Sequence, residues 1–594
     1  MGLVYVMNLK PTHEQQAILN APERLIKVNA RAGTGKTSTL LMLAEKHSSA
    51  KILYLVYNKK AQKKARSTFP KNVTVHTIHS LAYRYTQSKR YQRSWQPIVN
   101  FTPATLLPEF EEFKDQQHEL ASISYNFLTF YLNSPIHEIE KAAQEFSDRL
   151  LADTMVEIFN HALEKIIDIF KKIFESWKER GECVHDYYLK LFHKTGNFLL
   201  QLNRYDIILV DEGQDLSPIM SDVLSKCHRK VILVGDPHQQ IYRFRYAVDA
   251  MQTHSSDINL ELSKSFRFGP SVAETVSKLI TEAKNEKGFS IQGNTQVNSG
   301  VSFYRDRDLL SIINRYKKIA ILSRTNLNLF TKAIQLRKKD VPFTFERDVT
   351  PQMLRTLDVY WLSIGDKEKI RDPFIKSFTT IEHLEHHASE MDNREFSQMA
   401  KTVRDYAKDL PNIVFDLIKI HKDNAQKTNI NAVTLSTIHS AKGQEYNHVI
   451  IGSDLPYFLN EDAEKEKEIF LEEINIAYVA LTRVKEQLFL PNEFKTILTR
   501  GWQDYVGNFK SAIQSTNKIS RSPASQRSKR HRKSKAEESR ALAPAPIKQI
   551  SAGSRVRVAN GAGVVIDIDP SRCLIDLDGQ EANVWEEIKN INLL

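Results

Sequence analysis

The sequence predicts an α/β protein built on two parallel sheets. Short β-branched runs recur at residues 25–28, 52–57, 207–210, 231–234, 319–322, 433–437 and 449–451, each followed by a loop and a helical pattern. Strands that alternate with helices pair in parallel and gather ligands at their C-terminal ends. The runs also fall in two blocks, separated by helix-rich stretches at about residues 86–203 and 347–427.

A chain of 594 residues exceeds one ordinary domain, and 41% hydrophobic with 26% charged residues is a globular balance. No apolar run reaches the roughly eighteen residues of a membrane span. The apolar patch at residues 1–8 lacks a basic flank and a cleavage site, so no signal peptide is expected. The three cysteines, Cys183, Cys227 and Cys573, form no CxxC pair, which argues against zinc knuckles, iron–sulfur clusters and a disulfide framework. An intracellular setting is expected, cytoplasmic in a prokaryote and nuclear in a eukaryote. The net charge is +12, of which residues 515–548 carry +8. A basic chain tends to meet nucleic acid, but here any groove in the body must come from the placement of charge.

Within the first helical stretch, Leu163, Ile166, Ile167, Phe170, Ile173, Phe174 and Trp177 recur at helical spacing, which reads as a core-facing helix. The stretch 515–548 mixes Ser, Pro and Ala around a basic run near Arg530; it cannot bury a core and is expected to be disordered, with non-specific DNA contact favoured for the run. After it, Val556, Val558, Val564, Ile566, Ile568, Leu574, Ile575 and Leu577 alternate with polar residues. With turn signals at Gly561-Ala562-Gly563 and Asp578-Gly579, they predict a small C-terminal β-barrel.

The chemistry concentrates at strand ends. Ala30-Arg31-Ala32-Gly33-Thr34-Gly35-Lys36-Thr37 joins an apolar strand to a helical pattern, which is the setting of a phosphate-binding loop. Its small residues free backbone N–H groups for phosphate, Lys36 reaches the β- and γ-phosphates, and the Thr37 hydroxyl ligates Mg²⁺. Ala30 stands where the strict pattern has glycine. The run 207–210 ends in Asp211-Glu212-Gly213-Gln214-Asp215. There Asp211 would hold the metal and Glu212 would take a proton from the attacking water. The run 231–234 leads into a loop in which Gln239 is suited to sense the γ-phosphate, with Tyr242 and Phe244 as platforms for unstacked bases.

This ordered series resembles the UvrD/Rep-type superfamily-one DNA helicases. It is most similar to the helicase body of the F-box DNA helicases, through Ala32–Ala44, Val234–Tyr242, Ser265-Phe266-Arg267-Phe268-Gly269, Gly181-Glu182-Cys183 and Tyr188–Leu191. The likeness implies two RecA-like domains with ATP between them. The loop begins by residue 30, so no F-box is expected ahead of it and no ubiquitin-ligase role follows. By resemblance Gln15 would read adenine and Phe266 would stack on it. Arg267 would reach the γ-phosphate, Gly443 and Glu445 would touch nucleotide, and Arg483 would be the arginine finger. Tyr57, Asn58, Thr77, His79 and His439 would contact DNA. Ser38 departs from the pattern, standing where bacterial members often carry a cation. The implied domains are 1A (residues 1–85 and 204–275), helical 1B (86–203), 2A (276–346 and 428–514), helical 2B (347–427), a basic linker (515–549) and a Tudor/SH3-like segment (550–594), which in the family contacts protein partners.

The implied activity is ATP-driven 3′ to 5′ translocation on single-stranded DNA, acting at single-/double-strand junctions. Rivals are a translocase that strips bound proteins with little unwinding, an ATP-gated binding module with negligible turnover, and an RNA helicase. His383 and His387, four apart on a helix, have metal-ligand spacing but match no protease order, and a solvated helix face is expected instead.

Overall fold

The computed structural model describes residues 10–86, 95–98, 100–150, 153–241, 251, 254–426, 431–455 and 467–500, together with five strands between residues 555 and 593. Residues 1–8, Tyr242, Phe244, Asp578-Gly579 and the stretch 515–548 lie outside the described residues. The chain divides into two compact units, Met1–Asn517 and Lys518–Leu594.

The larger unit holds two six-stranded sheets, every pairing parallel. The first contains β1 (Leu25–Ala30), β2 (Ile52–Val56), β3 (Val73–Thr77), β6 (Ile207–Val210), β7 (Lys230–Gly235) and β8 (Ile258–Leu262), in the order β3-β2-β6-β7-β1-β8. Between β3 and β6 the chain makes a helical insertion and a two-residue pairing of β4 (Gln96–Pro97) with β5 (Glu182–Cys183). The second sheet contains β9 (Gly300–Tyr304), β10 (Ile319–Ser323), β11 (Phe343–Phe345), β12 (Val433–Thr437), β13 (Tyr446–Ile451) and β14 (Val484–Pro491), in the order β11-β12-β10-β13-β14-β9. Its own helical insertion separates β11 from β12. The α/β class and the two parallel blocks are therefore those the sequence predicts. Central strands such as β2, β6 and β10 are buried along their whole length, as strands covered by helices on both faces must be.

In the first insertion, the helix Leu163–Arg180 buries Ile166, Ile167, Phe170 and Trp177 and half-buries Ile173 and Phe174. Glu164 in its first turn and Lys178 and Arg180 in its last turn complement the helix dipole. Gly181, at φ 71°, ends it through a hydrogen bond from its N–H to Trp177 O (3.0 Å).

His387 does not lie on a solvated face. It is 1% exposed, its Nδ1 is 3.0 Å from Glu119 Oε1 and its Nε2 is 3.3 Å from Ser122 Oγ, so the second insertion packs there on the helix Gln117–Asn133 of the first. Spacing along one helix shows which residues share a face but not what covers it. Among the described residues no group of three His, Cys, Asp or Glu side chains is placed to hold a metal ion.

In the smaller unit, β15 (Arg555–Val558), β16 (Gly561–Ile568), β17 (Arg572–Leu577), β18 (Val584–Glu587) and β19 (Asn592–Leu593) form one antiparallel sheet in the order β18-β17-β16-β15-β19. Gly561-Ala562-Gly563 is not the turn expected from its glycines. It starts β16, with Gly561 paired to Val558 and Gly563 to Val556 and Leu577. Glycine serves a strand as well as a turn where another backbone runs close by.

Candidate nucleotide site

The phosphate loop leaves β1 at Ala30 and enters the helix Lys36–Lys46. Gly33 and Gly35 both take left-handed backbone, φ 75° and 78°, as the tight turn requires. Gly33 O accepts from Phe266 N (2.8 Å), which ties the loop to the segment after β8. The Thr34 hydroxyl donates to Arg31 O (2.8 Å). Ala32 N donates to the hydroxyl of Tyr478 (3.1 Å), which comes from the helix Lys467–Leu481 that precedes β14. The same hydroxyl donates to Asp236 Oδ2 (2.8 Å), and Gln239 Nε2 donates to that oxygen too (2.7 Å). One tyrosine of the helix before β14 thus holds both the phosphate loop and the loop after β7.

The acids stand opposite. Lys36 Nζ is 3.3 Å from Glu212 Oε2, and Asp211 Oδ2 accepts from the Tyr54 hydroxyl (2.7 Å). Burial works against the Lys36 cation, but Glu212, Asp211 and Asp236 around it raise its pKa above the ordinary lysine value. Burial also opposes the Glu212 charge; Lys36 and then Lys442 overcome this and hold the carboxyl below its usual range. Asp211 goes the other way, raised first by burial and then by the neighbouring Glu212 charge. Glu212 is itself in left-handed backbone, φ 53° and ψ 48°, a conformation that costs a non-glycine residue about 1–2 kcal/mol. The Thr37 hydroxyl and the Asp211 carboxylate are hard oxygen donors beside an excess of negative charge, a set that fits Mg²⁺ completed by water and phosphate oxygens.

Gln15 and Phe266 flank Gly35: a Cβ there would lie 3.5 Å from both Gln15 Nε2 and Phe266 Cε2. Phe266 is 45% exposed, while Gln15 is buried by its capping box with Thr12 and by its donation to Thr39 Oγ1 (3.0 Å). Arg267 forms an ion pair with Glu445 (2.7 Å) and donates from Nη1 to Thr482 O (2.7 Å), so it reaches across to the second sheet's segments. Burial alone would raise Glu445; Arg267 and Lys485 bring it below the ordinary value. Gly443 takes φ 83° with open space around its Cβ position. Arg483 is 1% exposed and donates to Val479 O (2.8 Å) and Thr482 Oγ1 (2.9 Å), folded against its own helix. Burial, followed by repulsion from Arg267, pulls its pKa down to about 9.

Of the nucleic-acid candidates, Tyr57 and His79 line one cavity and His439 another. Thr77 and Thr437 each end a strand, and each hydroxyl accepts from the N–H of a serine three residues on, Ser80 (3.1 Å) and Ser440 (3.3 Å). His79 Nε2 is 2.8 Å from Asp186 Oδ1, and both line a cavity of about 520 Å³ with Tyr57, Asp211 and Glu212. Thr437 and His439 line another of about 650 Å³ with Arg324, Arg347 and Arg394. Tyr57 is 40% exposed; Asn58 caps the next helix, its Oδ1 accepting from Ala61 N (2.8 Å).

Residues 11–258 match the family model of the UvrD/REP helicase N-terminal domain. Over that stretch the chain is similar to the UvrD/REP helicases. It is 29% identical over 533 residues to F-box DNA helicase 1 of Gallus gallus, covering 84% of this chain and 50% of that protein. It is 31% identical over 517 residues to F-box DNA helicase protein 1 of Schizosaccharomyces pombe, covering 81% and 57%. A probable DNA helicase II homolog of Mycoplasma pneumoniae is 21% identical over 613 residues, covering 80% and 83%. The chain thus spans about half the length of the F-box relatives. The fold also brings Tyr54, Lys442 and Tyr478 into the site, and sequence reasoning gave none of them a role. Lys442 stands next to Gly443 and Tyr478 five residues before Arg483, both named by the resemblance, but Tyr54 sits in an apolar strand and carries no signal.

Proposed function

We propose that the chain is an ATP-dependent DNA helicase or translocase moving 3′ to 5′ on single-stranded DNA, at single-/double-strand junctions in repair, recombination or replication. The observation that carries this is the convergence of groups from both sheets on one phosphate loop: Lys36, Glu212 and Gln239 from the first, Tyr478, Glu445 and Arg483 from the second. Such a site couples nucleotide state to the approach of two domains, which is the physical basis of stepping.

In this reading residues 1–85 and 204–275 are domain 1A, 276–346 and 428–514 are 2A, and 86–203 and 347–427 are 1B and 2B. Lys36 and the loop N–H groups hold the phosphates, with Gln15 and Phe266 at the base. Glu212, kept ionised by Lys36 and Lys442, accepts the proton of the attacking water. Mg²⁺, held by Thr37 and Asp211, would neutralise charge on the β- and γ-phosphate oxygens. Gln239 and Arg267 orient the γ-phosphate, and Arg483 swings from Val479 O toward it as the finger. Single-stranded DNA crosses both threonine turns, passing Tyr57, Asn58, Thr77 and His79 and then Thr437 and His439; Tyr242 and Phe244 would stack on bases. The C-terminal antiparallel sheet reads as a Tudor/SH3-like β-barrel that takes a protein partner.

The test is ATP hydrolysis with and without single-stranded DNA, beside Glu212→Gln, followed by unwinding of duplexes with 3′ or 5′ tails. DNA-stimulated turnover lost in the variant, with unwinding from 3′ tails, is expected. Negligible turnover with intact ATP binding would replace the motor by an ATP-gated grip.

A further inference from the structure

Lys442 follows the second threonine turn, and its ammonium lies between two loops of the first sheet. Nζ donates to Asp215 Oδ2 (2.5 Å) and to the main-chain oxygen of Gln239 (2.6 Å). The pair is buried, with side-chain exposures of 9% for Lys442 and 1% for Asp215. Asp215 Oδ1 is buried with no hydrogen-bond partner among the described residues, so the carboxylate rests on Oδ2 alone. That oxygen also accepts from Gln214 Nε2 (3.3 Å), and the same nitrogen donates to Glu212 Oε2 (2.6 Å). The other end of the Gln214 amide is fixed, since Oε1 accepts from Asp236 N (3.0 Å) and Gly235 leaves room for it only by lacking a Cβ, which would stand 2.7 Å away.

A continuous hydrogen-bonded line therefore runs Lys442–Asp215–Gln214–Glu212. The link from Gln214 to Asp215 is buried and the links at either end are part-buried; in such surroundings a hydrogen bond is strong and an unpaired charge is costly. Lys442 belongs to the second sheet's segments and every other member to the first's. Withdrawing the second domain would strip the buried Asp215 carboxylate of its cation. Asp215 would then turn or take up a proton, and Gln214, which touches both acids with one nitrogen, would lose the geometry that aims Glu212.

We infer that Lys442 is a positioning residue that admits Glu212 to its working orientation only when the two RecA-like domains are closed, separately from the arginine finger. This rests on the proposed reading of Glu212 as the base of a DNA-stimulated ATPase. It adds a second closure-dependent element to the site, one that acts on the water-activating side of the phosphate while Arg483 acts on its charge.

The test measures kcat and KM for ATP at saturating oligo(dT), and turnover without DNA, for the full chain, Glu212→Gln, Lys442→Gln, Asp215→Asn and the Asp215→Asn/Lys442→Gln pair. The expected result is a kcat lower by about 10- to 100-fold in Lys442→Gln with KM within about threefold of the parent. Asp215→Asn should fall similarly, and the double variant should be no slower than the slower single one, because the two act through one link. Should Lys442→Gln not fold, Asp215→Asn reads the same link from the other side. A parent enzyme stimulated by DNA whose Lys442→Gln or Asp215→Asn variant keeps its kcat overturns the inference alone. So do a KM rise that accounts for the whole loss and purely multiplicative single effects. A parent enzyme with no DNA-stimulated turnover overturns the functional reading and this inference together.

Discussion

Gly33 is where the phosphate loop is most tightly enclosed. A Cβ on it would stand 2.6 Å from Ser265 Oγ and 2.7 Å from Arg267 Cβ, and its φ of 75° is unfavourable to any L side chain. Relief by movement of Ser265 and Arg267 would pull Arg267 away from Glu445 and Thr482. Gly33→Ala is therefore expected to lower DNA-stimulated ATPase by about 100-fold or more, since small misplacements of reacting groups cost that much. A steady-state rate within twofold of the parent would show that the enclosure is unimportant. The residues that could be read from sequence are those whose type allows few roles at such a place: a lysine after glycines, or two acids at a strand end. Tyr54, Tyr478 and Asp186 could not, because their roles arise only from contacts more than a hundred residues apart in the chain.

At the scale of elements, the same four residues, Thr-Ile-His-Ser, close β3 and β12. In both copies the threonine hydroxyl accepts from the serine N–H three residues on, and the histidine between them lines a cavity. Losing one such cap costs about 1 kcal/mol of stability. Thr77→Ala and Thr437→Ala are each expected to lower affinity for an oligo(dT) strand severalfold in fluorescence anisotropy, beyond a small fall in melting temperature. Unchanged affinity with the same loss of stability would restrict both threonines to capping. Element type followed the hydrophobic period: the stripe from Leu163 to Trp177 is a buried helix face because that period matches 3.6. The strands β8, β9 and β11 were among those that escaped: Ile258–Leu262 has a single β-branched residue, Ile258, and Phe343–Phe345 is three residues long. Their partners, not their own patterns, make them strands.

Across the whole molecule, neutral histidines are buried in separate places, which sets how its stability responds to acid. His76 lies in β3, His118 at the contact between the helical insertions, and His439 in the second threonine turn. Each has its pKa lowered to about 4. Burial is the first cause in all three. Next come Arg84 and Arg66 for His76, His383 and His387 for His118, and Arg324 and Lys442 for His439. An unfolded histidine titrates near 6.5, so between about pH 6.5 and 4 the unfolded chain binds these protons and the folded chain does not. The stabilisation is complete above the unfolded pKa and is lost as pH falls toward the folded one. Asp215 acts in the opposite sense. Its pKa is raised to about 6, by burial first, so its contribution is present at low pH and fades as pH rises through that value. Further buried histidines with lowered pKa, His238 and His254 among them, outnumber the raised aspartates Asp211, Asp215 and Asp454, which leaves a net loss on acidification. The melting temperature should fall steadily from about pH 7 to about pH 5, well above the range where ordinary surface carboxylates titrate. His118→Gln should flatten the slope by removing one of the protons taken up. A melting temperature that stays level or rises over that interval would mean that these imidazoles are charged in the fold, and that the contact between the two insertions tolerates an extra cation.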